Sequence, residues 1–161
     1  MNPFEKGFLE GIIPPPPMTV SEWSDKHRRL SSKGSSEPGP WRTDRTPYLK
    51  EPMNCLSVTN TDVERVVMMF GAQTGKTECG INFLLYTIDH CPAPVLCVAA
   101  SLDMVKRMSR QRLEPAFEET PVIKAKIAPQ RSRDASNSMF IKEYPNGILM
   151  LTGSNSPAGL R

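Results

Sequence analysis

With 161 residues and 39% apolar content, the chain is long enough for a core of its own and has the side chains to fill it. Its 20 Lys and Arg against 17 Asp and Glu leave a net charge of +3, which permits contact with nucleic acid but is too balanced to establish it. No stretch approaches the ~18 consecutive apolar residues of a membrane helix, and an N-terminus carrying Glu5 and Glu10 is not a secretory signal. Four cysteines, Cys55, Cys79, Cys91 and Cys97, form no C-x-x-C pair, so buried thiols in a reducing compartment are expected rather than zinc or disulfides.

Proline divides the chain. Many of its 16 prolines precede position 53, so residues 1–60 read as a punctuated helical arm and 61–161 as a more regular body. In the arm, Phe4, Phe8, Leu9 and Ile12 share one face of a short helix, which Pro14 to Pro17 must stop and continue as stiff polyproline II. Thr19-Val20-Ser21-Glu22 is a capping box, and Val20, Trp23, His27 and Leu30 at helical spacing predict a helix to about Leu30, with Lys26, Arg28 and Arg29 on its basic side. Ser31 to Pro40 reads as a loop. Thr46 then serves as N-cap and Pro47 as first-turn residue of another helix, which Pro52 should kink early. The aromatics here have two readings. Tyr48 or Trp41 could stack on an adenine as a lid, with Arg42 or Arg45 near phosphate, or they dock the arm onto the body. His27 and His90 have no partner motif and read as surface or capping residues.

In the body, Val63, Val66, Val67, Met68, Met69 and Phe70 predict a buried parallel strand. Gly71-Ala72-Gln73-Thr74-Gly75-Lys76-Thr77 follows, and then Ile81, Leu84, Leu85 and Ile88 at helical spacing up to a stop at Asp89-His90-Cys91-Pro92. Strand, glycine turn and helix in that order are a phosphate-binding arrangement. The loop departs from G-x-x-x-x-G-K-[ST] in having Phe70 where the first glycine belongs, with Gly71 one residue late. The candidate ligands are ATP and Mg²⁺: Gly75 with the Ala72 to Thr74 amides for the phosphate cradle, Lys76 for the β/γ-oxygens and the Thr77 hydroxyl for Mg²⁺. A helix N-terminus at this point adds unpaired N–H groups and the positive end of the dipole.

Pro94 to Ala99 reads as a second short strand, after which Ser101 caps a helix with Asp103 in its first turn. Leu102, Val105, Met108 and Leu113 mark that helix's core side, and Lys106, Arg107, Arg110 and Arg112 a basic side that meets water or touches DNA phosphates. Met139-Phe140-Ile141 and Ile148 to Leu151 flank Tyr144-Pro145-Asn146-Gly147 as a late β-hairpin with an Asn-Gly turn.

Six signals in order carry a family resemblance: Val20-Ser21-Glu22-Trp23 with Asp25-Lys26; Glu37 to Trp41; Pro47-Tyr48; Ala72 to Glu78; Arg131-Ser132-Arg133-Asp134; and Asn155 to Leu160. Together they resemble the N-terminal region of the large terminase subunit of tailed bacteriophages, the lambda-like GpA family, from about Thr19 to Arg161. The resemblance implies an α/β fold, a partial RecA-like P-loop NTPase domain preceded by the proline-rich helical arm. It implies an ATP-driven motor that pushes double-stranded viral DNA through a portal into a procapsid in the host cytoplasm. The family's small terminase subunit is an implied partner, a homo-oligomer is implied at full length, and a C-terminal nuclease cuts the DNA. It makes the Phe70 departure ordinary, and it leaves Gln73 as a γ-phosphate sensor or an arm-positioning residue. Arg131 or Arg133 becomes a trans-acting finger, with Asp134 as the pairing partner of either. Asn155, Ser156 and Arg161 couple nucleotide state to DNA grip or shape a turn.

ATP hydrolysis in that class needs an apolar strand ending in Asp-Glu, and these 161 residues contain no such run. The family places it shortly after the segment matching Asn155 to Arg161. The expectation is therefore an N-terminal piece that is inactive alone, whose Val63 to Phe70 strand has unpaired edges and whose stability is marginal. Two other classes stay open: a helicase-like P-loop ATPase, and a non-catalytic interaction module with a vestigial phosphate loop.

Overall fold

The computed structural model of the chain describes residues 2, 4, 7, 8, 16–35, 37–127 and 138–155. Phe4 and Phe8 have helical backbone and are exposed; Leu9, Ile12, Pro14 and Pro15 lie outside the described residues.

The capping box forms as read. Thr19 Oγ1 accepts from the Glu22 amide while the Glu22 carboxylate accepts from the Thr19 amide at 2.8 Å, and helix α1 runs Val20–His27. It stops short of Leu30 because Arg28 turns to extended backbone (φ −69°, ψ 133°). Arg29–Leu30 (β1) then pairs antiparallel with Gly39–Pro40 (β2), closing the Ser31 to Pro38 excursion into a loop. Two 3₁₀ turns, Thr43–Arg45 and Pro47–Leu49, lead into α2, Lys50–Cys55. Pro47 occupies the first position of its turn, but Thr46 makes no side-chain cap bond. Pro52 sits in the first turn of α2, where its missing N–H costs little.

The main core is helical. The long helix α3, Lys76–Asp89, buries Ile81, Leu84, Leu85, Tyr86 and Ile88 against α1 and α2. Trp23 and Tyr86 meet edge to face at 6.4 Å, and each polar tip is satisfied: Trp23 Nε1 donates to Asp89 Oδ2 at 2.8 Å, Tyr86 Oη to the Met18 carbonyl at 2.9 Å. Ser57 Oγ accepts from the Val20 amide and Ser21 Oγ donates to Asn54 Oδ1 at 2.6 Å, tying α1 to the end of α2.

After α3 the chain makes strand β3, Val95–Ala99, and helix α4, Leu102–Met108, whose first turn is capped by Ser101 Oγ. A π-helical turn, Ser109–Leu113, continues into α5, Glu114–Glu119, and a short α6, Pro121–Lys124. The π turn has a local cause in Pro115, which cannot donate to a ladder carried straight through from α4; the ladder resets there, and the Glu114 amide reaches the Ser109 carbonyl five residues back. The extra residue rotates the helix, so Val105, Ser109 and Leu113 form the buried line. Leu102, expected on the core side, is 46% exposed.

The hairpin forms between β4, Ile141–Tyr144, and β5, Gly147–Gly153. Of the two turn residues only Asn146 has positive φ (63°), so Pro145 and Asn146 hold the central positions and Gly147 already pairs with Tyr144. Strand β5 is the centre of a three-stranded sheet, antiparallel to β4 and parallel to β3. A methyl group on Gly153 would stand 2.8 Å from the Leu102 amide nitrogen, so only glycine lets the end of β5 come this close to the β3–α4 turn.

One expected strand does not form. Residues 63–70 form no regular element, with a bend at Glu64, and burial alternates along 66–70, with Met68 and Phe70 turned toward the core and Val67 and Met69 exposed at 81% and 95%. No ladder with another described segment accompanies that alternation. The periodic side chains supply a face, but a strand also needs a backbone ladder, and no described strand supplies one here.

Candidate phosphate-binding site

The glycine loop does turn directly into α3. Gly75 is left-handed (φ 84°) and is the residue before the first helical turn, its carbonyl accepting from the Cys79 amide at 2.9 Å. A side chain there would also press within 2.9 Å of Leu49 Cδ1, because the Pro47–Leu49 turn packs beneath the loop. Gln73 is left-handed as well (φ 57°), and Thr74 Oγ1 donates to the Gly71 carbonyl at 2.9 Å, bracing the loop across its neck. Lys76 Nζ donates to the carbonyl of Phe70 at 3.1 Å and to that of Gly71.

Beside the loop lies an open cleft of about 490 Å³, within the range of small-ligand sites. Gln73, Thr74, Gly75, Lys76 and Thr77 form one wall, and Gly34, Ser35, Glu78 and Arg112 complete it. Thr77 is exposed to this space; Gly71 and Ala72 are exposed but do not line it. Tyr48 is half exposed and meets the Phe70 ring edge to face at 6.1 Å, which brings the arm's aromatic to the entry of the loop.

Neither Tyr48 nor the other proposed base and phosphate contacts of the arm line this cleft. Trp41 is buried, with Nε1 donating to Thr43 Oγ1 at 3.0 Å, so its ring serves docking. Arg42 faces a separate cleft with Asp25 and Asp44, and Arg45 pairs with Glu37. Arg131, Arg133 and Asp134 lie outside the described residues, as do Ser156 and Arg161; Asn155 Oδ1 is 3.2 Å from Ser154 Oγ.

The structure adds a charge network that the sequence did not announce. Glu78, one residue past Thr77, stands between two guanidinium groups: Arg28 Nη2 at 3.1 Å from Oε2 and Arg112 Nη1 at 3.4 Å from Oε1. Arg28 is buried, its Nε donating to Asn82 Oδ1 at 3.2 Å. Burial pulls its pKa below the ordinary value while the Glu78 carboxylate pulls it back up. With Lys76 close by, cations outnumber the one carboxylate, and the donor set suits a polyanion. Arg28, Glu78 and Arg112 come from segments far apart in the chain, so no spacing rule could have joined them.

The cysteines are free thiols, and burial pushes Cys79 up to about 11, well away from thiolate formation. His90 caps α3 through its amide and stacks on Tyr86 at 5.0 Å; His27 lies against Trp23 at 5.6 Å.

The family model for the phage terminase large subunit gpA, ATPase domain, matches residues 35–161. The chain belongs to that family. A terminase large subunit of Enterobacteria phage P21 is 27% identical over 145 residues, an alignment covering 88% of this chain and 21% of that relative. This terminase-family chain thus spans about a fifth of the length of the relative it matches. No solved structure matches. A mixed α/β fold with small sheets is consistent with part of such an ATPase domain, and membership implies nucleotide use. Among the described residues no helix is long and apolar enough to cross a membrane.

Proposed function

We propose that this chain binds Mg²⁺-ATP through residues 71–77 and forms the N-terminal ATPase portion of a motor that moves viral DNA into a procapsid. The observation that carries the reading is the cationic cleft at the start of α3, where Gly75, Lys76 and Thr77 face an open volume large enough for a triphosphate. ATP brings the phosphoanhydride whose cleavage drives translocation. The chain's part is to hold it: N–H groups at the start of α3 for the phosphates, Lys76 exchanging its two neutral carbonyl acceptors for charged phosphate oxygens, and the Thr77 hydroxyl for Mg²⁺. In this reading Tyr48 covers the base, a role supported by its edge-to-face contact with Phe70 at the start of the loop. Arg131 or Arg133 acts as a finger on a neighbouring subunit of the assembled motor.

The partners follow from the same reading: double-stranded DNA, the small terminase subunit and the portal, encountered in the host cytoplasm. Exposed Lys106, Arg107 and Arg110 on α4 and the π turn supply phosphate-compatible charge for the DNA contact.

Calorimetry of Mg²⁺-ATP binding to the 161-residue chain and its Lys76→Ala variant tests the reading. Losing a charge-assisted contact of about 1.5–3 kcal/mol should weaken binding by roughly 10- to 150-fold. Equal affinity in a folded variant, or no binding by the folded parent, would remove phosphate binding from this loop.

A further inference from the structure

Among the described residues, Arg112 is the guanidinium that lines the cleft, and its tethers are weak. Glu78 already has a buried partner in Arg28 at 3.1 Å, so neutralising that carboxylate does not require a second arginine. Arg112 approaches the other oxygen at 3.4 Å, beyond the roughly 2.7–2.9 Å of a strong charge-assisted bond, and its side chain is 46% exposed. Its remaining described contact is neutral, Nη1 donating to the Gly34 carbonyl at 2.9 Å across the mouth of the cleft. Among the described residues both contacts leave from the same nitrogen, so Nε and Nη2 are available to an incoming anion. Arg112 also sits in the π-helical turn, whose extra residue turns it away from the buried Val105, Ser109 and Leu113 line, and such turns recur at functional sites.

We propose that Arg112 is a nucleotide-binding residue supplied in cis, which takes the terminal phosphate of ATP by leaving Gly34 and keeping Glu78 as its positioning partner. A phosphate oxygen is a far stronger acceptor than a peptide carbonyl, and a planar fork matches two phosphate oxygens where a lysine cannot. Gly34 belongs to the Ser31–Ser35 turn, held by the Gly34 and Ser35 amides on the Ser31 carbonyl, so contact with the last phosphate reports directly to the arm. The idea rests on the phosphate-loop reading but asks more of it: the cleft must tell ATP from ADP, and Arg112 must be why.

The test compares ATP and ADP affinity, each with Mg²⁺, in the 161-residue chain, Arg112→Ala and Arg112→Lys, with thermal unfolding run alongside. Arg112→Ala should lose tenfold or more in ATP affinity and less than threefold for ADP, while Arg112→Lys falls between. Lys76→Ala should lose both nucleotides. A merely structural tie between Arg112 and the Gly34 turn would lower both affinities together or shift the melting temperature with no change in the ATP/ADP ratio, and either result overturns the proposal. Should Arg112→Ala fail to fold, Arg112→Lys carries the same ratio test, and an unchanged ratio there is equally fatal. If the parent chain binds ATP and Arg112→Ala binds it as well, this inference fails alone; if the folded parent binds no nucleotide, the phosphate-loop reading falls and takes this one with it.

Discussion

Residues 63–70 and Val95–Ala99 are two apolar runs of similar character, each ending at a turn that starts a helix, yet they have different fates. Val95–Ala99 pairs along its whole length with Leu149 to Gly153 in a parallel ladder. Residues 63–70 carry the same period-two burial over their second half and pair with no described strand. Propensity and alternation therefore create a candidate strand, and a partner's N–H and C=O groups decide whether it becomes one. The contrast extends to faces. β5 buries Leu149 and Leu151 against the helices, while Leu96 and Val98 of β3 and Met150 of β5 point outward and remain 40–50% exposed. The helical layer built on Trp23 and Tyr86 is closed on itself; the sheet is covered on one side.

If stability resides in the closed helical layer and the inner sheet face, substitutions should sort accordingly. Trp23→Ala removes the ring that joins α1 to α3 and should cost about 3–5 kcal/mol in denaturant unfolding; a loss under about 1 kcal/mol would mean that the helical layer is not the stable half. Leu149→Ala, fully buried on the central strand, should cost about 2–5 kcal/mol, against about 0.5 kcal/mol or less for Val67→Ala in the unpaired segment. Amide exchange sharpens the same pair, since β3 and β5 amides should be protected and residues 63–70 should exchange quickly. Comparable protection in both would show that this segment does find a ladder.

Acid should attack the helical layer at Asp89. Burial alone would raise the Asp89 pKa, but hydrogen bonds from Lys126 and Trp23 outweigh it and hold the carboxyl below its ordinary value. A carboxylate depressed in the folded state contributes its stability above the unfolded-state pKa and loses it as pH falls through the folded one. Unfolding free energy should accordingly decline on acidification, and Asp89→Asn should flatten part of that slope; an unchanged slope would remove Asp89 from the account. The smallest effect is a gain. Gly80 lies on the exposed side of α3 with open space around a prospective methyl group, so Gly80→Ala should stabilise by about 0.5–1 kcal/mol.

Much of this molecule was legible because its signals are local. The Thr19–Glu22 capping box, the Ser101 cap, the glycine loop entering α3 and the late hairpin each depend on residues within a few positions of one another, and each forms, although the hairpin turns on Pro145–Asn146 rather than on the expected Asn-Gly pair. The departures have other causes. The helical spacing carries α1 to about Leu30, whereas it ends at His27, because nothing nearby in the chain shows that Arg29 and Leu30 have a β partner about ten residues on. A 3.6-residue period puts Leu102 on one face with Val105, yet as the first residue of α4 Leu102 is left 46% exposed. Of the two readings open for Trp41, adenine stacking and docking, burial with Nε1 on Thr43 Oγ1 selects docking.

The family, through residues 35–161, and the glycine-lysine-threonine character of the loop from Gly71 to Thr77 are written in short runs whose residue types have few other uses, and so are readable from the chain alone. Folding in three dimensions brings Glu78 between a buried and an exposed arginine, puts Gly34 and Ser35 on the far wall of the cleft, and leaves residues 63–70 paired with no described strand. Those outcomes depend on groups brought together from distant parts of the chain, where burial and competing hydrogen-bond partners, rather than local spacing, set the free energy.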